Sequence, residues 1–301
     1  VKAMANAIGA HHKELINLIK QAAYKKSIYQ VFNDFLEMSA IAISNQTNFL
    51  HREKRETRYL EIINSYDKKH QQLFPLMLFH LVEALEEKIR VTGPEDVLGC
   101  IFHELELHNE HKSQFFTPQY VSDAMAQMIC GDKSQKAIEE NGFIHVCEPA
   151  AGSGVMVTSF CKAMQQASLN YCSQLVVTAV DIDLSCTHMA YLQLSLYGVP
   201  AVVIHGNTLT CEEWSRWYTP VYLLDNWIWR AHCGITQKTC IDDEMIKCAS
   251  EPMYAAFREI ERLFPKKAPE NVESSEASTE ENEKPLEVFT IKHLSFFDDD
   301  E

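Results

Sequence analysis

The run Glu148-Pro-Ala-Ala-Gly-Ser-Gly154 has the residue types needed to hold a nucleotide-like ligand. Glycines let a backbone turn tightly and approach a ligand that a side chain would exclude. The run follows Phe143–Cys147, which has the composition of a strand, and precedes a helical pattern. Strand–turn–helix units of this kind bind nucleotides in dinucleotide folds. No Gly-Lys-Ser/Thr follows, which excludes a phosphate loop. A lone glycine turn also serves purely structural ends. Asp181 narrows the choice. It closes the next strand pattern, in Val180-Asp-Ile-Asp183, where a carboxylate can accept both hydroxyls of a ribose.

Other candidate clusters carry less. His103-Glu-Leu-Glu-Leu-His108 has the residue types of a zinc-protease helix, but its histidines are five apart instead of four, which turns them off a common face. It reads as a surface helix. His11-His12 has no matching third ligand. The ten cysteines fall singly, without a Cys-x-x-Cys pair, so reduced thiols and no metal are expected.

Two kinds of element have to position the glycine turn and Asp181. Up to about residue 110, apolar residues recur at three- and four-residue spacing, predicting helices near 8–24, 27–45, 52–68, 70–90 and 95–108. In the second, Ile28, Val31, Phe32, Phe35, Leu36 and Ser39 make one face. The charged run His51–Arg58 in the third reads as a solvated face. Thr92-Gly-Pro-Glu-Asp separates the fourth helix from the fifth, with Pro94 at a tolerated early position. From about residue 115, helical patterns (Val121–Ile129, Val155–Gln166, Leu184–Tyr197) alternate with strand patterns at Phe143–Cys147, Leu175–Val180, Ala201–Ile204 and Val221–Leu224. That rhythm predicts an α/β fold with a parallel sheet. A last amphipathic helix is expected over Asp242–Leu263. Beyond Pro265 the chain is polar and should be disordered until Leu286.

From about Asp96 to Asn226 the sequence resembles the N6-adenine DNA methylases of the type I restriction-modification kind. The resemblance rests on Asp96-Val-Leu-Gly99, Ser113-Gln-Phe-Phe-Thr-Pro118, the glycine turn, Asp181-Ile-Asp183 and Gly206-Asn-Thr-Leu209, all in family order. It implies a Rossmann-like sheet that binds S-adenosylmethionine (SAM), preceded by a helical N-terminal domain. By that resemblance Phe116, Thr117 and Pro118 lie against the methionine part of SAM, and Glu148, Ala150, Gly152 and Gly154 form its floor. Asp181 binds the ribose and Ile182 packs on the adenine. Asn207, where the family usually has Asp, bonds the adenine amino group through its side-chain oxygen. The family's catalytic Asn/Asp-Pro-Pro-aromatic corresponds to Asn226-Trp-Ile-Trp229, so Asn226 would accept hydrogen bonds from the target amine and Trp229 would stack on a flipped base. Both prolines are missing, and with them the fixed φ that presents the carbonyl. A run that merely packs is the alternative.

The resulting division is a helical domain over 1–110, a methyltransferase-like domain over 111–264 and an acidic tail over 265–301. The stretch from Trp229 to Pro265 reads mainly as helix, so the methyltransferase sheet is expected to be truncated. From Lys266 to Glu301 there are eleven acidic and four basic residues, so the tail carries −7 of the net −15 and the body −8. Nucleic-acid binders take most of their affinity from a basic face. If DNA is the substrate, a local basic strip or a partner subunit must supply much of the grip. The end of the tail, His293-Leu-Ser-Phe-Phe297, resembles the Gln-Leu-Ser-Leu-Phe peptide that docks on the bacterial sliding clamp, with a tail folding back on its own domain, or chance, as alternatives. No stretch is apolar enough to span a bilayer and the first residues lack a secretory pattern, so a cytoplasmic place and no membrane are expected. Function reads as transfer from SAM to adenine N6 in DNA, or as a catalytically inactive relative that binds or regulates.

Overall fold

A computed structural model describes residues 9–105, 117–227 and 230, all within one compact unit, Val1–Gln237. The helix expected over 242–263, the tail, and the clamp-like peptide lie outside the described residues, as does the expected domain boundary near residue 110.

The N-terminal part is helical: α1 Ala10–Ala22, α2 Ile28–Ser44, α3 Arg52–Asn64, the short α4 Lys68–Gln71, α5 Leu73–Val91 and α6 Val97–Glu104. Ser27 starts α2 by accepting the Gln30 N–H on its side-chain oxygen, one of the four donors a helix start leaves open. The periodicity of α2 is borne out: Val31, Phe32, Phe35 and Leu36 are buried, while Ile28 is only partly so. The apolar stretch Leu73–Val82 is the first half of α5, and no helix among the described residues is long and apolar enough to cross a membrane.

The charged run on α3 differs from expectation at one position. Arg55 is 9% exposed. Its guanidinium donates to Ser44 Oγ and, at 2.9 Å, to the Arg216 carbonyl, and it lies over the Trp217 ring at 4.1 Å. Burial lowers its pKa to about 10. Arg55 and Ile62 are the two inward residues of α3. They stand seven apart, so the helical period brings both to one side.

The second part alternates helix and strand: α7 Gln119–Ile129, α8 Asp132–Asn141, β1 Ile144–Glu148, α9 Val155–Gln166, α10 Tyr171–Gln174, β2 Leu175–Asp181, α11 Leu184–Leu196, β3 Ala201–Asn207, β4 Glu212–Tyr218 and α12 Pro220–Leu224. The strands form one sheet in the order β1-β2-β3-β4. β1, β2 and β3 run parallel, in register Ile144 with Leu175 and Val177 with Ala201. β2 reads Leu-Val-Val-Thr-Ala-Val because helices cover both faces. α11 is buried around its whole circumference from Cys186 to Leu194, packed between the sheet and α2.

The strand expected at Val221–Leu224 is helical. Pro220 stands at its first turn, where its fixed φ suits a helix start and its missing N–H costs nothing. The fourth strand is instead Glu212–Tyr218, antiparallel to β3. Asn207 makes the reversal by accepting the Leu209 and Thr210 N–H groups on its side-chain oxygen, and Cys211 completes it at φ 57. β4 therefore runs back to the amino end of β3. There Thr219 donates its N–H to the Ala201 carbonyl, while its Oγ1 accepts from the Ala201 N–H at 2.9 Å and donates to the Val199 carbonyl at 2.7 Å.

Arg55→Ala should destabilise the fold by about 2–3 kcal/mol, because it removes the donor to the buried Ser44 hydroxyl and to the Arg216 carbonyl and takes the cation from the Trp217 ring. Arg55→Lys should recover only part of the loss, lacking the planar fork. Urea denaturation of the three proteins checks this; equal midpoints would show that Arg55 holds nothing.

Candidate functional site

The site is built where the parallel strands end. β1 finishes at Glu148, whose Oε1 accepts the Ala150 N–H at 3.1 Å. The chain then turns back over the sheet: the Ala151 N–H donates to the Val180 carbonyl, and the Gly152 N–H donates to Asp181 Oδ2 at 2.7 Å. Gly152 and Gly154 take φ 55 and 96, left-handed conformations open to glycine. A Cβ on Gly154 would also touch Ala190 of α11 at 3.4–3.5 Å, so the turn rests directly on that helix.

Asp181 ends β2 beside this turn. Its two oxygens each accept one backbone N–H, from Gly152 and from Asp183 at 2.8 Å. A carboxylate has about four lone-pair sites, so both oxygens keep room for further donors. Burial raises the Asp181 pKa against those two backbone donors, and the nearby Asp183 adds to the rise. Glu148 is also raised by burial; the Ala150 N–H opposes this and Asp181 reinforces it. Asp183 accepts the Ser185 and Cys186 N–H groups and so caps α11. Ile182, between the two acids, is 61% exposed, leaving an apolar face beside the Asp181 carboxylate.

Asn207 ends β3 at the same edge, with its side-chain oxygen turned to the Leu209 and Thr210 amides. The oxygen expected to receive an adenine amine therefore already serves the turn. Thr208 donates from Oγ1 to the Pro149 carbonyl at 2.6 Å and ties this turn to the glycine turn. Thr117 and Pro118 lead into α7, the Pro118 carbonyl accepting the Val121 and Ser122 N–H groups. Phe116 lies outside the described residues.

Glu148, Ala150, Gly152, Gly154, Asp181, Ile182 and Asn207 are thus gathered at one edge of the sheet. Asn226 is not among them. Because β4 runs back, α12 and Asn226 follow from the amino end of β3. Trp227 is buried with its ring 5.4 Å from that of Phe143, just before β1, and Arg230 lies over Trp227 while donating to the Ser173 carbonyl ahead of β2. The seven residues of β3 separate the two edges by roughly 20 Å at a rise of about 3.3 Å per residue. Asn226 itself takes φ 57, and its Oδ1 is buried without a hydrogen-bond partner among the described residues. Trp229 lies outside the described residues.

Sequence reasoning missed the residues behind the turn. Asp96 caps α6 by accepting the Gly99 N–H at 2.7 Å, and also accepts from Gln193 Nε2 at 2.9 Å and Ser153 Oγ at 2.5 Å. The signal was present in Asp96-Val-Leu-Gly99. A Cβ on Gly99 would stand 2.0 Å from Asp96 Oδ2 and 2.7 Å from Ser153 Oγ, so the position admits no side chain without displacing that carboxylate. Among the described residues no cluster of three or more His, Cys, Asp or Glu side chains could hold a metal, and none of the described cysteines is in a disulfide.

A glycine turn after the first strand of a parallel α/β sheet and an acid at the end of the second define a Rossmann-like nucleotide-binding fold of the methyltransferase type. The sequence profile of the N-6 DNA Methylase family matches residues 95–255, more than half of the chain. The chain belongs to the N-6 DNA methylase family. Among solved structures, it is similar to a protein of Listeria monocytogenes reported as a candidate class I SAM-dependent methyltransferase, at 14% identity and a TM-score of 0.36. That alignment covers 64% of this chain and 52% of the other, so this chain spans about half the length of that protein. No curated protein matches the sequence.

The raised Glu148 pKa fixes the sign of a pH effect. Below the ordinary value of 4.5 the carboxyl is protonated both folded and unfolded and carries no penalty. As pH rises through the higher folded value, the buried charge forms and stability falls. Glu148→Gln should therefore melt higher than the parent at pH 7 and level with it at pH 4. An equal gap at both values would remove the burial argument.

Proposed function

We propose that this protein binds SAM at the carboxyl edge of its parallel strands and acts among the DNA-modifying methyltransferases, with adenine N6 as acceptor. The observation that carries the reading is Asp181, bonded to the Gly152 amide while both its oxygens keep acceptor capacity. The residues fit the cofactor. Gly152 and Gly154 add no side chain to the turn and Ser153 between them points away to Asp96, Asp181 can take the two ribose hydroxyls, and Ile182 offers an exposed apolar face to the adenine. Thr117, Pro118 and Phe116 would line the methionine end, with Glu148 and Ala150 completing the floor. When bound, SAM supplies an electrophilic methyl group. The chain's own part is to orient: Asp181 fixes the ribose, Ile182 fixes the base, and the turn sets how deeply the ligand lies. Positioning of this sort accounts for much of a transfer to an amine.

A net charge of −15 supports a partner subunit for DNA recognition. A second reading, a cofactor-binding regulator without turnover, is favoured by one observation: Asn226 stands at the edge opposite Asp181. Calorimetric titration with SAM, followed by methylation assays on adenine-containing DNA, separates the two. Micromolar binding abolished by Asp181→Ala is expected; unchanged affinity in that variant would sink the ribose assignment. Asn226→Ala should leave any transfer rate within about twofold, since roughly 20 Å separates it from the cofactor edge. A hundredfold loss in a folded variant would return Asn226 to the acceptor site. SAM binding without transfer would establish the regulator.

A further inference from the structure

The glycine turn is held from two sides. In front, the Gly152 N–H meets Asp181. Behind, Ser153 is fully buried and turned away from the ligand edge, and both its polar side-chain and main-chain oxygens are engaged. Its hydroxyl donates to Asp96 Oδ2 and its carbonyl accepts from Gln193 Nε2 at 2.7 Å. Asp96 and Gln193 are in turn locked to the helical part. Asp96 caps α6, and Gln193 Oε1 accepts the Val97 and Leu98 N–H groups at 2.7 and 3.1 Å. The Asp96 N–H donates to Gln119 Oε1, one residue beyond Pro118 at the start of α7, and Gln119 Nε2 donates to Asp123 and to Ser159 of α9. The segment α6, the start of α7 and the glycine turn thus share one connected set of buried and part-buried hydrogen bonds.

We infer that Asp96 and Ser153 are positioning residues that couple the seating of α6 to cofactor affinity at the glycine turn, so that a shift of the helical segment alters SAM binding without touching the ligand. The inference rests on SAM occupying the site proposed above. The physical ground is linkage. A ligand that binds one arrangement of the turn favours the seating of α6 that produces it, and the effect is reciprocal. Interiors at native density do not deform smoothly, so a displaced Asp96 changes the φ of the flanking glycines rather than being absorbed locally.

Ser153→Ala removes one buried hydroxyl and leaves Asp181 and the glycines in place. It should weaken SAM binding by about five- to tenfold, the worth of one hydrogen bond. In the parent protein SAM should slow amide exchange at Val97, Leu98 and Gly99, which lie in α6 rather than in the ligand-facing turn. Gly99→Ala, a change that normally favours a helix interior, should weaken SAM further by displacing the Asp96 carboxylate. Should that variant fail to fold, Ser153→Ala carries the test. Affinity within twofold of the parent in Ser153→Ala, or unchanged α6 exchange on adding SAM, overturns the coupling. If the parent does not bind SAM, the site reading fails, and amide exchange at Gly152 and Gly154 decides the remainder. Faster exchange in Ser153→Ala keeps the hold of α6 on the turn, and equal exchange removes it.

Discussion

A single buried carboxylate sets much of this architecture. Asp96 is 6% exposed and accepts from Gly99, Ser153 and Gln193, groups contributed by α6, the glycine turn and α11. A buried charge is tolerated only where hydrogen bonds replace the water it has lost. Burial raises the Asp96 pKa and the three donors oppose that rise, so each donor removed would leave the carboxylate less compensated. The helical part and the sheet are therefore joined by chemistry that demands fixed geometry as well as by apolar packing. The ion pairs nearby follow the same line: Lys162 of α9 bridges Glu95, just ahead of α6, and Asp123 of α7 at 2.8 and 2.9 Å.

The second constraint is the direction of one strand. A parallel fourth strand would deliver the residues after it to the edge where Asp181 lies. The Asn207 turn makes β4 antiparallel and delivers Thr219, α12 and Asn226 to the other edge. There Trp227 packs edge-on against Phe143, and Arg230 covers the indole. Family resemblance aligned Asn226 by order along the chain, which carries no information about strand direction.

What was legible in the sequence was whatever repeats locally. Val31, Phe32, Phe35 and Leu36 announce α2 by helical spacing, and Leu175–Val180 announces a strand covered on both faces. The glycine turn and Asp181 were legible because a backbone that turns this tightly at the end of a strand leaves few residue choices. β4 was not, since an edge strand with Glu212, Glu213, Trp214 and Arg216 exposed shows only Trp217 and Tyr218 as buried apolar residues. Val221–Leu224 misled because a short apolar run fits strand or buried helix equally, and Pro220 decided between them. Arg55 was hidden in a run of like residues, and the partners of Asp96 were hidden by distance along the chain, 57 residues to Ser153 and 97 to Gln193.

The contact between Arg55 and the Arg216 carbonyl spans 161 residues. A chain made from its N-terminus completes α3 long before β4 exists, so an arginine destined for the interior spends that interval in water, where it is well solvated. Contacts of such long range form late and slow the search for the native state. The guanidinium thus keeps the face it will later seal soluble during synthesis, and its removal from water waits until β4 has arrived to receive it.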